Sequence, residues 1–300
     1  MVSGYDLWQW RKQAINSAIN NNIPLLELDW LLTEISGLDK LQLRLESFKN
    51  QDEIKMQLSL NQLESLWNRR LKEHLPVQYI AGYSNWRNFK LKVSPAVLIP
   101  RPETEILIDI VVDITNKNQD LKLGNWADLG TGSGAISLGL ADVLPANNAQ
   151  ANIHAVDVSV DALNIAKINA ANYNFSDRIN FYQGYWWQPL SLLKGQFSGM
   201  ISNPPYIPSA TVLSLQPEVV NHEPHLALDG GIDGLDCIRH LIKISSDYLQ
   251  NGGVWLIEMM AGQSNIVKAL LKSAGTYDNI QIYPDLAGID RFALAYKKSS

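Results

Sequence analysis

The chain has 300 residues, 46% of them hydrophobic and 18% charged, which excludes a disordered protein and supplies ample apolar material for a core. Its 25 basic and 30 acidic residues leave a net charge of −5, the wrong sign for a protein whose main task is to coat nucleic acid. A single cysteine, Cys237, excludes an internal disulfide framework and a multi-thiolate zinc site, and its expected role is that of a small buried hydrophobe.

Residues 1–75 read as a helical domain. Leu7, Trp10, Ala14, Ile15 and Ala18 recur at helical spacing, as do Leu25, Leu28, Leu31, Leu32 and Ile35 after Pro24, with Gly37 as the stop. Leu60, Leu63, Leu66, Trp67 and Leu71 form a third stripe ended by Pro76. This domain is nearly neutral and holds no catalytic residue types, so its expected role is to dock a partner or substrate. Asp6, Gln9, Trp10, Arg11 and Lys12 stand where a signal peptide carries its apolar run. No stretch approaches the roughly 20 apolar residues of a membrane span. A cytoplasmic enzyme is the expected class.

Residues 76–100 read as a β-hairpin linker. Phe89 to Val93 alternates with period two, Tyr79, Ile80 and Tyr83 precede it, and Ser84-Asn85 is the expected turn. Pro102 then suits the first position of a helix, with Glu103 and Glu105 in a first turn where the macrodipole favours carboxylates. Glu103 or Glu105 is an ordinary helix-capping carboxylate or a site residue.

From residue 124 strands and helices alternate: strands over 125–129, 153–157, 179–183, 199–202, 253–258, 280–283 and 291–296, helices over 134–144, 160–172, 235–249 and 266–274. Such alternation predicts an α/β domain over 101–300, an open and mostly parallel sheet with helices on both faces. Ligands in such sheets bind beyond the carboxyl ends of the strands, so the loops after 129, 157, 183 and 202 are the places to look.

The first of those loops is Asp128-Leu129-Gly130-Thr131-Gly132-Ser133-Gly134-Ala135. Gly130, Gly132 and Gly134 let a nucleoside-bearing ligand approach the backbone, with Thr131 between them. Asp157 closes the next strand, the place for a carboxylate that accepts ribose hydroxyls. Asp128 would repel a pyrophosphate but suits the ammonium and sulfonium of S-adenosylmethionine. At this point the chain resembles the class I S-adenosylmethionine methyltransferases, with their Rossmann-like fold.

The second signal is Asn203-Pro204-Pro205-Tyr206, directly after a strand. The prolines stiffen the loop and remove two donors, leaving carbonyls as acceptors. A planar NH₂ group can donate to the Asn203 side-chain oxygen and the Pro204 carbonyl while Tyr206 packs on its plane. Two acceptors off the amide plane would favour rehybridisation as a methyl transfers, so Asn203, Pro204 and Tyr206 are the expected catalytic residues. Both exocyclic adenine amines and glutamine side chains fit such a clamp.

Nearly the whole chain resembles the HemK/PrmC family of release factor glutamine methyltransferases. The matching features are the helical domain, the hairpin, Ile99-Pro100-Arg101-Pro102-Glu103-Thr104-Glu105, Asp128–Gly134, Asp157, Asn203–Tyr206, and Glu223-Pro224 with Ala227-Leu228. The resemblance implies methylation of the glutamine amide in the Gly-Gly-Gln motif of class 1 release factors, with 1–75 helping to hold the factor. It also implies that Asn203, Pro204, Pro205, Tyr206 and Glu103 meet the substrate, and that Asp128, Gly130, Thr131, Gly132, Gly134, Asp157, Trp186 and Asn203 meet S-adenosylmethionine. Methylation of a ribosomal protein glutamine or of an adenine amine is the alternative within the same chemistry, and a non-catalytic cofactor-binding protein is the alternative outside it. Direct nucleic-acid binding is not expected from the net charge.

Two departures stand out. The segment Gln183-Gly184-Tyr185-Trp186-Trp187 lacks the acidic residue that often follows such a strand to accept the adenine amine. Trp186, Tyr185 or a backbone group is the expected substitute. The strand ending at Glu258 runs into Met259-Met260-Ala261, where histidine or isoleucine with glycine was the pattern. His222 and His225 flank Glu223-Pro224 without helical metal-ligand spacing, so no metal is expected. Asp229 to Gly234 reads as a turn, since a calcium loop would need an acid where His240 stands.

Overall fold

Ser3 accepts a hydrogen bond from the Asp6 backbone N–H and so opens the first helix, Gly4–Asn20. The computed structural model describes residues 1–145 and 152–299. Helices Leu25–Ser36, Lys40–Leu45 and Leu60–Glu73 follow, the latter two opened by capping boxes of Asp39 with Gln42 and Ser59 with Gln62. Gly37 closes the second at φ 70°, as expected. The third stripe stops at left-handed His74 instead of Pro76.

The chain forms two compact units, Met1–Tyr83 with Gln216–His222, and Ser84–Leu215 with Glu223–Ser300. The divisions read at 75 and 100 do not coincide with these limits. Leu7, Leu28, Leu31, Leu32, Leu63 and Trp67 make the core of the first unit, each from the apolar stripe of its helix. Trp10 and Trp67 meet edge to face at 6.4 Å. Tyr79 and Ile80, read as extended, lie in a short helix, Val77–Ala81, which buries Val77, Ile80 and Ala81 on one face. Helix Pro217–His222 belongs to this unit too. Buried Arg70 binds Glu27 at 2.8 Å and Glu218 of that helix at 2.9 Å.

Strands β1 (Tyr83–Trp86) and β2 (Phe89–Lys92) form the hairpin. Its turn is Arg87-Asn88, with Arg87 at φ 50°, so Ser84-Asn85 lies within β1 and not at the bend. Pro102–Glu105 is a 3₁₀ turn that leads into helix Ile106–Lys117.

The second unit is built on seven strands: β3 (Asn125–Leu129), β4 (Ile153–Asp157), β5 (Ile179–Gln183), β6 (Phe197–Ser202), β7 (Leu249–Glu258), β8 (Tyr277–Pro284) and β9 (Asp290–Lys297). Their order is β5-β4-β3-β6-β7-β9-β8, parallel throughout except for β9, which runs antiparallel to both neighbours. Period-two alternation feeds two core layers. Trp126, Ile201, Val254, Leu256, Phe292 and Leu294 face one, while Ala127, Leu129, Met200, Trp255, Ile257 and Ala293 face the other. From β3 the chain winds outward to β4 and β5, then returns to place β6 on the other side of β3. This reversal opens a crevice beyond the carboxyl ends of β3 and β6, and those ends carry the glycine loop and Asn203–Tyr206.

Candidate active site

A cavity of about 250 Å³ occupies that crevice, lined among others by Gly130, Gly132, Asp157, Trp186, Asn203 and Thr104. The glycine loop reaches it by a backbone that other residues resist. Gly130, Gly132 and Gly134 have φ of 81°, 54° and 85°. The N–H groups of Gly130 and Thr131 both reach the Val156 carbonyl at 2.9 Å, which ties the loop to the end of β4.

Asp128 lies beneath the loop, fully buried and outside the cavity lining. Its Oδ2 accepts from Thr131 Oγ1 and from Ser137 Oγ, both at 2.6 Å. Oδ1 is buried without a partner among the described residues. Burial pushes the carboxyl up to about 6, and the two hydroxyls oppose that rise. Asp157 does line the cavity. It accepts the Gly132 N–H at 2.8 Å on one oxygen and the Ser159 N–H at 2.9 Å on the other, so each oxygen keeps a lone pair for a ligand hydroxyl. Burial pushes this carboxyl up, and the backbone N–H groups of Ser159, Gly132 and Val158 pull it back.

Trp186 lines the cavity with its ring over Gly130, in a left-handed backbone (φ 48°) that costs a bulky residue about 1–3 kcal/mol. Gly184 and Tyr185 line it too, where the acidic residue is missing. The adjacent Trp187 is core, stacked on Tyr248 at 4.8 Å. Cys237 is half-buried and lines the cavity, a correction to its reading as a buried hydrophobe.

Asn203 donates from Nδ2 to Thr104 Oγ1 at 3.2 Å. Thr104 has one hydroxyl hydrogen, and it goes to Glu258 Oε2 at 2.8 Å. Thr104 therefore accepts from Asn203, which fixes the amide with Oδ1 free. Among the described residues neither that oxygen nor the Pro204 carbonyl receives a hydrogen bond. Both oxygens are thus unengaged in this structure. Tyr206 donates its phenol to Glu258 Oε1 at 3.0 Å, and its carbonyl accepts from Gln263. Burial and the Glu258 charge hold the phenol well above its usual range. Pro205 lines the cavity, whereas Pro204, Tyr206 and Gly134 are not among the residues that line it.

Glu103 is exposed and outside the lining; its neighbour Thr104, buried, takes the position that the Pro-Glu-Thr-Glu segment contributes. Arg101 binds buried Glu223 at 2.6 Å, and Glu223 also accepts the Ile99 N–H at 3.2 Å. Burial raises the Glu223 carboxyl, and Arg101 opposes it. That pairing gives Glu223 a role other than the metal ligand its histidine neighbours suggest. Thr104, Ser137 and Glu258 were not singled out as site residues from sequence. The available signal for Glu258 was an acid closing the otherwise apolar run from Val254.

The site fits S-adenosylmethionine. The unpartnered Asp128 oxygen is a buried acceptor near the loop, Asp157 keeps lone pairs for a diol, and Trp186 offers an aromatic plane. No helix among the described residues is long and apolar enough to cross a membrane.

A methyltransferase domain model matches residues 122–276. The release factor glutamine methyltransferase of Synechocystis sp. is 50% identical over 298 residues, 98% of this chain and 97% of that protein. The protein of the same name from Thermosynechococcus vestitus is 45% identical over 288 residues, 96% of each. Among solved structures, the hMettl16 catalytic domain bound to a MAT2A 3′UTR hairpin superposes with a TM-score of 0.55 at 16% identity, covering 83% of this chain and 86% of that one, a likeness of fold. Agreement of this degree from end to end extends well beyond the shared methyltransferase domain, and the chain belongs to the release factor glutamine methyltransferase family.

Proposed function

We propose that this chain methylates the side-chain amide nitrogen of the glutamine in the Gly-Gly-Gln motif of class 1 translation release factors. The observation that carries the reading is the free acceptor pair, Asn203 Oδ1 and the Pro204 carbonyl, beside a cavity suited to the methyl donor. S-adenosylmethionine, when bound, supplies a methyl group on a cationic sulfur. The two acceptors take the two N–H hydrogens of the substrate amide and hold its nitrogen. An amide lone pair is delocalised into its carbonyl, and acceptors placed off the plane favour the pyramidal nitrogen that attacks. Tyr206 supplies a flat wall, steadied by Glu258. No base is needed beforehand, because the proton leaves from the more acidic methylated nitrogen to solvent.

The acceptor pair suits any planar nitrogen, and the choice of glutamine rests on full-length similarity to the named relatives. In this reading the helical unit holds the release factor, and the enzyme works in the cytoplasm, where that factor acts. The test is incubation with labelled S-adenosylmethionine and a release factor, a ribosomal protein or DNA, with the methyl located by mass spectrometry. Label on the Gly-Gly-Gln glutamine is expected. Asn203→Ala should lower kcat about 10²–10³-fold and leave the affinity for the methyl donor within about threefold. Label only on adenine, or Asn203→Ala losing binding and turnover equally, overturns the reading.

A further inference from the structure

Glu258 closes β7 inside the unit, 2% exposed, and its part described so far is confined to steadying Tyr206. Its two oxygens serve two different site residues: Oε1 takes the Tyr206 phenol and Oε2 the Thr104 hydroxyl. The chain of donors therefore runs one way, from Asn203 Nδ2 to Thr104 Oγ1 to Glu258 Oε2. Ionised Glu258 can only accept, so the direction of every bond in that chain follows from its charge. We infer that Glu258 and Thr104 are positioning residues that select which atom of the Asn203 amide meets the substrate, the carboxylate turning the Thr104 hydroxyl toward itself so that Oδ1 is offered as the acceptor. This rests on the amide-methylation reading above.

An amide has two ends of similar size, and only the hydrogen-bond network distinguishes them. With a proton on Glu258 Oε2, the carboxyl would donate to Thr104. The Thr104 hydrogen would then turn to Asn203, which would present Oδ1 to Thr104 and Nδ2 outward. A donor would face the N–H hydrogens of the substrate, and the clamp would repel what it should hold. The charged groups around the carboxylate come from several elements. Arg291 of β9 favours its ionised form and Glu103 opposes it, while Arg101 acts on the Tyr206 phenol. Burial outweighs the donors and lifts the Glu258 carboxyl to about 7, so the device operates near neutrality. Thr104 does not need to touch the substrate for any of this; it acts through Asn203.

The test combines a spectroscopic reading that needs no turnover with kinetics. In protein carrying ¹⁵N in its asparagine side chains, the Asn203 amide signal is expected to move as Glu258 titrates between about pH 5.5 and about pH 8.5. The movement should persist in Thr104→Ser and vanish in Thr104→Val, which keeps the shape and removes the hydroxyl. Thr104→Val should also lower kcat about tenfold to a hundredfold, with the affinity for S-adenosylmethionine within about twofold, and Thr104→Ser should recover most of that loss. An Asn203 signal in the unaltered chain that ignores the ionisation of Glu258 overturns the inference, as does wild-type kcat in Thr104→Val. Absence of methyl transfer to any release factor would instead defeat the functional reading, and the titration would still decide the direction of the amide.

Discussion

Ser137 Oγ lies 2.6 Å from Asp128 Oδ2, so a side chain in the first turn of helix Ala135–Val143 helps hold the carboxylate that opens the glycine loop. Thr131, from the loop itself, takes the same oxygen. Asp128 thus ties the loop to the helix and holds a buried carboxylate next to the residues that line the cavity. Asp128→Asn is expected to weaken S-adenosylmethionine binding by about tenfold or more, because bonds to a charged acceptor are roughly twice as strong as neutral ones and a cationic ligand loses its attraction. Since burial raises this carboxyl to about 6, affinity in the wild type should fall as pH drops through that value, and the fall should be absent in the variant. The stability effect has the opposite sense. The fold holds this proton more tightly than the unfolded chain does, so the contribution is fullest at acid pH and is lost as pH rises through about 6. Calorimetric titration from acid to alkaline pH checks the binding arm, and equal affinity of the two proteins above about pH 7 would refute it.

Gly134 and Gly37 both adopt left-handed backbone, at φ 85° and 70°, but only one is crowded. A Cβ at Gly134 would stand 3.1 Å from the Ala166 Cβ and 3.2 Å from Leu138 Cδ1, whereas at Gly37 it would meet nothing within 4 Å. Gly37→Ala should therefore cost only the backbone strain, about 1–2 kcal/mol. Gly134→Ala should cost about 2–4 kcal/mol, strain and overpacking together, and should also weaken the methyl-donor site. Denaturant unfolding of the two variants measures the difference; equal losses would mean that helices Ala135–Val143 and Val160–Asn172 yield at no cost.

The strands that frame the site could be read from sequence because each is a short apolar run between turn residues. The runs at 125–129, 153–157 and 179–183 fall where they were read. The place of the Asn203–Tyr206 loop at the end of β6 was legible for a different reason, since two prolines leave a chain few conformations. What escaped lacks such local marks. Helix Val77–Ala81 is too short to show a period, and Pro217–His222 buries no side chain fully, so no apolar stripe announces it. Thr104 and Glu258 stand 154 positions apart, and each alone looks ordinary. Thr104 is buried and its more conspicuous neighbour Glu103 is exposed, a difference that residue type alone does not carry. Thr104 stands in the 3₁₀ turn Pro102–Glu105 and Glu258 at the end of β7, and a contact between elements so far apart in sequence is a property of topology that local pattern does not carry.

Arg70 tests that same missing element. Its side chain, 6% exposed, binds Glu27 at 2.8 Å and Glu218 at 2.9 Å, so one guanidinium holds helix Pro217–His222 within the first unit. Removing it leaves two half-buried carboxylates without their cation, and breaking a buried pair on one side costs more than the pair contributes when intact. Arg70→Met is expected to destabilise the unit by about 2–4 kcal/mol, and Arg70→Lys, which keeps the charge without the planar fork, by about half as much. The pH dependence has a definite sense. Burial tends to raise the Glu218 carboxyl, but its backbone bond and Arg70 hold it below the usual range. Its stabilising contribution is therefore present above the unfolded value and is lost as pH falls through the folded one, so the gap between wild type and Arg70→Met should narrow as pH falls below the ordinary carboxylate range. Denaturant unfolding at neutral and acid pH reads this directly. A gap that stays constant would show that Arg70 acts through the packing of its alkyl stem, leaving Glu218 without a part in fixing its helix.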